Sequence, residues 1–325
     1  MSIRDQILRT LADGHFHSGQ DLSAQLSMTR AAVWKQVHAL IQRGLDIHAV
    51  RGKGYRLSEP LELLDAEQLL SALQPSIRGR VASLSVHTEL DSTSDQLKRQ
   101  PLPERSGQFN VCFAERQTHG RGRRGRQWVS PYGANLYVSL AYRADAAGGA
   151  LDGLSLAVGV GLVHALRSSG VTGSGVKWPN DIVMDGRKLA GVLVELAGEM
   201  DGAMSIIVGV GLNVRMPRHA ADQIDQPWTD LHASGVQVSR HRLATHVLEH
   251  LLDTLSRFSA QGLAPFLEDW QRFDQIAGRA IDLHTGAGVV SGTACGIDER
   301  GALKVERQGR LVHYHSGEVS LRIAS

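Results

Sequence analysis

Two apolar runs, VCFAE at 111–115 and LYVSLAY at 136–142, are joined by a segment that no regular element can absorb. Between Arg116 and Arg126 that segment holds five arginines, with Gly120, Gly122 and Gly125 among them. Like charges at this density repel, and glycine weakens helix and strand alike, so the chain must pass between the two strands through an open loop. Glycine also lets backbone approach a ligand and permits positive φ. Arg121, Arg123, Arg124 and Arg126 add forked donors suited to phosphate or carboxylate oxygens. An RNA-binding RG tract or a disordered linker would use the same letters, but both flanks read as ordered strands. Pro131-Tyr132-Gly133 reads as a turn, and the strand after it alternates poorly, as a buried strand does.

The 325 residues allow two or three domains. A chain with 42% hydrophobic and 21% charged residues is neither disordered nor collagenous nor a disulfide-stapled miniprotein. No apolar run approaches the roughly 20 residues of a membrane span. The opening MSIRDQILRT carries Arg4 and Asp5 and has no secretory apolar core, so the expectation is a cytoplasmic protein with no membrane contact. Cys112 and Cys295 stand in separate apolar segments and read as buried thiols. The net charge of +2 says nothing about partners, but residues 1–60 carry eight Lys/Arg against five acids.

Those sixty residues contain three helical patterns. Ile3, Ile7, Leu8 and Leu11 recur at helical spacing up to Gly14. Ser18-Gly-Gln-Asp21 resembles a capping box opening a short second helix. Thr29 can cap a third running through Arg43, with Ala32, Val33, Val37, Leu40 and Ile41 on its apolar side. Two helices joined by a tight turn, the second bearing Arg30, Lys35 and Gln36, form the pattern of a helix-turn-helix whose second helix enters the major groove. Strand-like 45–50 and 55–57 flank the basic tip Arg51-Gly-Lys53-Gly, a wing able to reach phosphates. A helical cap with a solvated face would share the helices; the hairpin favours DNA.

Further motifs follow. Asp91-Ser92-Thr93-Ser94 lies between a strand (84–88) and a helix. VKWPND spans 176–181, Arg187-Lys188-Leu-Ala-Gly191 enters a strand, and IIVGVGLN ends at Asn213. By itself WPND reads as a turn. Residues 152–170 are apolar nearly all round and read as a buried helix, 243–258 and 263–273 as further helices, and 143–153 and 215–235 as loops. His164, His246 and His250 read as packing or surface residues. From 280 onward short strands split by Gly286-Ala-Gly288, Asp298–Gly301 and Gln308-Gly309 read as a small β-barrel.

Taken in order, DSTS, AERQTHGRGRRGRQW, SPYGANLY, VKWPND, KLAGVLVE and IVGVGLN resemble the biotin–protein ligase family, and the amino-terminal helices resemble those of its two-function members, ligase and biotin operon repressor in one chain. The resemblance implies an α+β, multidomain protein: a winged helix-turn-helix over 1–63, a class II synthetase-like mixed α/β catalytic domain over 64–274, and an SH3-like β-barrel over 275–325. It implies synthesis of biotinyl-5′-AMP from biotin and ATP with Mg²⁺, then transfer of biotin to a lysine of a biotin carboxyl carrier protein. By similarity, Ser92, Thr93, Ser94, Gln117, Gly120, Arg121, Gly122, Arg123 and Lys188 bind biotin. The family often has Asn where this chain has the shorter Ser94. Arg123, Lys177, Asn180, Asn213 and Trp228 fall on the nucleotide side, and Arg322 at the tail points the same way. Lys188, Arg121, Arg123 and Asp181 are the catalytic set, with Asn180 and Asp181 also offering oxygens to Mg²⁺. Thr29, Arg30, Lys35, Gln36, Arg51 and Lys53 are expected on operator DNA. The glycine–arginine loop is expected to be mobile when empty and to order on the adenylate, linking ligand binding to homodimerisation and DNA binding. Two other readings share these motifs: an adenylate-sensing regulator with little ligase activity, and a lipoate ligase.

Overall fold

The computed structural model describes residues 2–143, 151–198, 204–285, 288–315 and 320–323. Most of the 143–153 loop, Gly286-Ala287 and the side chain of Arg322 lie outside what is described.

The amino-terminal unit is α1 (Ile3–Leu11), α2 (Gly19–Gln25), α3 (Arg30–Gln42), β1 (Ile47–Val50) and β2 (Gly54–Leu57). Thr29 caps α3, its Oγ1 accepting from the Ala32 N–H at 3.2 Å. Ser18 caps α2 through the Asp21 N–H, but the reciprocal half of the expected box is missing; the complete box is Ser2–Asp5 on α1. Ile7, Leu8, Leu11, Leu22, Val33, Val37 and Leu40 close a core of their own. Ile41 departs from the sequence reading: it is exposed, because the buried stripe of α3 runs through 33, 37 and 40. The wing strand begins at Ile47, and β1 pairs with β2 antiparallel.

The central unit follows as α4 (Ala66–Ala72), α5 (Pro75–Arg78), β3 (Val81–His87), α6 (Thr93–Lys98), β4 (Phe109–Ala114), β5 (Leu136–Arg143), α7 (Leu154–Ser168), β6 (Ser174–Lys177), β7 (Asp181–Met184), β8 (Arg187–Gly198), β9 (Met204–Leu212), α8 (Arg218–Ala221), α9 (Arg240–Gln261) and α10 (Leu267–Phe273). Seven strands form one sheet in the order β3-β4-β5-β9-β8-β7-β6, parallel only between β3 and β4. Strands β4 and β5 are buried on both faces, which explains their continuous apolar letters. On one face Cys112, Ala141 and Ile207 pack with Leu97 of α6; on the other Val111, Phe113 and Val138 join the large core with α7 and α9. The reading of 263–273 as one helix is corrected at its start, where residues 264–266 form a tighter 3₁₀ turn carrying Pro265. Residues 215–235 are loop apart from the short α8.

The last unit is β10 (Ala280–Thr285), β11 (Gly288–Ile297), β12 (Leu303–Arg307), β13 (Arg310–Tyr314) and β14 (Ser320–Ile323). Its antiparallel order is β13-β12-β11-β10-β14. The expected barrel is thus a five-stranded antiparallel sheet, with no β13–β14 pairing among the described residues. Ile281, Leu283, Leu303 and Val305 belong to the central core, and the Trp178 indole N–H donates to the Gly301 carbonyl at 3.1 Å. Cys295 is exposed, against the sequence reading, while Cys112 is buried and its thiol is pushed up to about 12 by burial. Both thiols are free.

One side chain ties the amino-terminal unit to the glycine–arginine loop. Glu89 accepts from Arg43 Nε at 3.4 Å, from Arg116 Nη1 at 2.6 Å and from the Tyr132 hydroxyl at 2.9 Å. Burial alone would raise the Glu89 carboxyl, but the bonds from Tyr132 and Arg116 outweigh it and hold it low. Tyr132 itself packs into the amino-terminal core.

Candidate active site

The first turn of α6 sets the polar end of the site. Ser92 is its cap, and Ser92, Thr93 and Ser94 are buried. Thr93 Oγ1 lies 2.7 Å from Ser139 Oγ, and Ser94 Oγ lies 3.0 Å from the same atom. Gln117 Oε1 accepts from the Thr93 N–H at 2.9 Å, and Gln117 Nε2 donates to Ser130 Oγ at 3.3 Å. The result is a cluster of rotatable hydroxyls that can donate or accept as a ligand requires. Ser139 is absent from the sequence reading, yet the signal was there: a serine inside a strand otherwise apolar and buried.

The glycine–arginine loop folds over this end as a small hairpin. Trp128 N–H donates to the Gly120 carbonyl at 2.8 Å and Gly122 N–H to the Arg126 carbonyl at 2.7 Å, with a 3₁₀ turn at 123–125. The loop uses positive φ at Gly125 and, unexpectedly, at Arg124. Gly120 serves close approach instead, since a Cβ there would lie 2.7 Å from the Trp128 carbonyl oxygen. Arg121 does not stand open as a lid cation. Its guanidinium grips Asp95 with both terminal nitrogens, Nη2 reaching Oδ1 at 2.6 Å, and touches Glu195 at 3.5 Å. Lys98 completes the network at 2.8 Å from Glu195. The Arg121 hydrogen bonds hold the Asp95 carboxyl down at about 2. Asp95 and Glu195 are residues the sequence reading did not single out, because ion pairs across 26 and 74 residues leave no local pattern.

A cavity of about 440 Å³ lies beneath, lined by Ser92, Thr93, Ser94, Gln117, Arg121, Gly122, Arg123 and Lys188 of the expected biotin side and by Lys177, Asn180, Asn213 and Trp228 of the nucleotide side, but not by Gly120; the side chain of Arg322 lies outside the described residues. Strand β9 orders it. Alternate residues Gly209, Gly211 and Asn213 share one face, at roughly 7 Å per step. Ser94 Oγ lies against Gly209, where a Cβ would meet it at 3.0 Å. Trp128 packs against Gly211, whose Cβ would sit 2.3 Å from the indole, and against Gly191, whose Cβ would sit 3.1 Å from it. Lys188 Nζ stands 5.4 Å from the Trp128 ring centroid. Beyond them, buried Asn213 donates to the Thr229 carbonyl at 3.1 Å while its Oδ1 has no partner among the described residues, and Trp128 Nε1 is likewise unpaired. Trp228 is half-buried and bridged to Lys188 by backbone, with Lys188 N–H donating to Pro227 O at 3.0 Å.

Cations occupy the middle. Lys188 Nζ is 2.7 Å from Asp181 Oδ1 across the β7–β8 pair. Arg123 is half-buried, its guanidinium pushed down by burial, and Nη1 reaches Asn180 Oδ1 at 3.4 Å. Asn180 in turn donates to the Val192 carbonyl at 2.7 Å. Asn180 Oδ1 and one of the two Asp181 carboxylate oxygens, expected to hold Mg²⁺, thus face Arg123 and Lys188, and a divalent ion there would have to displace or share those contacts. Among the described residues there is also no cluster of three acidic, histidine or cysteine ligands. His164, His246 and His250 bond instead to Asp269, Ser169 and Ser168.

Comparison with known proteins places this arrangement. Residues 88–213 match the biotin/lipoate A/B protein ligase family, residues 4–56 an HTH domain, and residues 276–322 the biotin protein ligase C-terminal domain. The bifunctional ligase/repressor BirA of Salmonella typhimurium is 42% identical over 318 residues, covering 98% of this chain and 97% of that one. That of Escherichia coli is 41% identical over 319 residues, with the same coverage. The chain belongs to the bifunctional biotin ligase/repressor family. The biotin protein ligase of Aquifex aeolicus in complex with biotin and ATP superposes with a TM-score of 0.64 at 27% identity, over 75% of this chain and all of that one. The full-length relatives favour neither the sensor-only nor the lipoate reading.

Proposed function

We infer that this chain makes biotinyl-5′-AMP from biotin and ATP, hands the biotin to a carrier-protein lysine, and binds operator DNA through its amino-terminal unit, working in the cytoplasm. The observation that supports it best is the sequence of chemistries along β9: the Ser94 and Ser139 hydroxyls at Gly209, Trp128 at Gly211 with Lys188 beside it at Gly191, then Asn213, which donates to the Thr229 carbonyl next to Trp228. A biotin ureido ring needs its donors and acceptor satisfied on burial, on a scale of about 2–7 kcal/mol for unpaired polar groups. Ser92, Thr93, Ser139 and Gln117 are suited to that end. The two reactants, a carboxylate and a triphosphate, are both anions. Lys188 and Arg123 supply fixed positive charge where they meet and where charge builds on the α-phosphorus. Asp181, held to Lys188, acts by positioning that ammonium rather than as a base. Asn213 and Trp228, with Lys177 nearby, suit the nucleotide. Closure of the 116–128 hairpin excludes water from the mixed anhydride.

The second proposed activity needs a dimer. Two amino-terminal units related by a two-fold would meet a two-fold operator. Incubation with ATP, Mg²⁺, labelled biotin and a biotin carboxyl carrier domain should place label on the carrier, and biotin-dependent pyrophosphate exchange should accompany it. Absence of exchange with DNA binding retained would leave only a sensor. Sedimentation with biotinyl-5′-AMP should show stronger self-association; an unchanged profile removes the dimer switch.

A further inference from the structure

Helix α3 buries Val33, Val37 and Leu40, so its opposite face looks outward. That face carries an unusual exposed ring. Trp34 is 55% exposed, whereas Trp178 and Trp270 are 1% and 2% exposed. One turn on, exposed His38 stacks against it, ring centroids 5.0 Å apart and planes 11° from parallel. Arg30 precedes Trp34 by four residues, Lys35 adjoins it, and both are exposed without a carboxylate partner among the described residues. No acidic residue occurs anywhere on α3. An aromatic of this size left more than half exposed forgoes burial that a partner surface can supply. The charges that α3 carries beside it, Arg30 and Lys35, are both positive, which suits an anionic partner with an apolar element inside a groove wide enough for a helix. Duplex DNA is the surface that matches: phosphates at the rims, and the thymine C5 methyl on the major-groove floor.

We propose that the stacked Trp34–His38 pair is a sequence-reading element, Trp34 packing on a thymine methyl while His38 holds its ring in place. The reading rests on the amino-terminal unit being a DNA binder. Arg30, Lys35, Arg51 and Lys53 then supply affinity through phosphates, and the aromatic pair supplies choice. The pair is pre-organised: the stack already restrains the indole, so little freedom is lost on docking.

The test starts with the full-length protein, charged with biotinyl-5′-AMP, selecting duplexes from a random-sequence double-stranded library. Failure to select any duplex removes the DNA-binding reading and this inference with it. Each thymine of the selected site is then replaced by deoxyuridine, which deletes only the methyl. At one or more positions the wild type should lose about fourfold per half-site, the worth of one buried methyl. Trp34→Ala should bind the selected site more weakly and be indifferent to that replacement. Trp34→Leu, which keeps an apolar tip, should recover part of the sensitivity. Binding of Trp34→Ala to a thymine-free poly(dG)·poly(dC) duplex should equal that of the wild type, since phosphate contacts are untouched. A wild type indifferent to every replacement, a Trp34→Ala protein that stays sensitive, or an equal loss on both duplexes would overturn the proposal.

Discussion

Two regions of this chain concentrate positive charge, and they treat it in opposite ways. In the catalytic unit three half-buried cations are held by partners, Arg121 by Asp95 and Glu195, Lys188 by Asp181 and Arg123 by Asn180, whereas Arg124 and Arg126 of the same loop are exposed. In the amino-terminal unit Arg30, Lys35, Arg51 and Lys53 are exposed with no ion pair among the described residues. Burial forces the first arrangement, because a desolvated cation without a partner is costly. Function suits the second: a phosphate-reading surface gains by keeping its charges solvated and mobile until counterions are released. A basic cluster in sequence therefore does not by itself distinguish a site from a surface. The neighbours recruited by the fold do.

The sharpest way to break the contrast is to remove the central cation. Lys188→Ala should lower biotin-dependent pyrophosphate exchange by about two to three orders of magnitude, leaving DNA binding by preformed adenylate complex intact. If exchange survives, the paired cations are structural only. Gly211→Ala comes next. A Cβ there meets Trp128 at 2.3 Å, so the indole must leave its seat. Biotin affinity by calorimetry should fall by tenfold or more, with the circular dichroism spectrum unchanged. On the solvated side, Arg51→Ala with Lys53→Ala should reduce the salt slope of DNA binding by about two while carrier biotinylation stays the same; a change in biotinylation would mean the two charge clusters are not independent.

Asp95→Asn should have a smaller effect, a several-fold faster release of biotinyl-5′-AMP, because it loosens the latch on the 116–128 hairpin without touching the floor of the site. Its pH dependence has a definite sign. The Asp95 carboxyl is held at about 2 in the folded chain, below its ordinary value of 3.8. The latch is therefore intact above pH 4 and is lost only as pH falls toward 2. Adenylate release should be flat from pH 5 to 8; a step in that range would show that some other group controls the hairpin. Glu89→Gln is expected to have the mildest effect, loosening the Arg43–Glu89–Arg116 joint and lowering the thermal midpoint by a few degrees at most.

Much of this was legible in the letters. Helical spacing placed α1 and α3, a run apolar nearly all round placed α7, the reading of 243–258 as a helix fell on α9, and the motifs marked Ser92, Thr93, Gln117, Arg123, Lys188 and Asn213, which line one cavity. Local signals misjudged Ile41 and Cys295 because apolar letters do not state which face is covered. They passed over Ser139, Asp95, Glu195 and Trp128 because each acts only through contacts distant in sequence.

What the chain determines by itself is the kind of chemistry: short-range patterning specifies helices, strands and turns, and the order of the motifs specifies the family. Which arginine is latched to carboxylates and which lies half-buried against Asn180, and whether a glycine makes a turn or a seat for a tryptophan, only the tertiary structure decides. The reason is that electrostatic and packing energies depend on distance in space, and residues 26 or 74 apart in the chain meet at 2.6 and 3.5 Å only after the sheet and helices have formed.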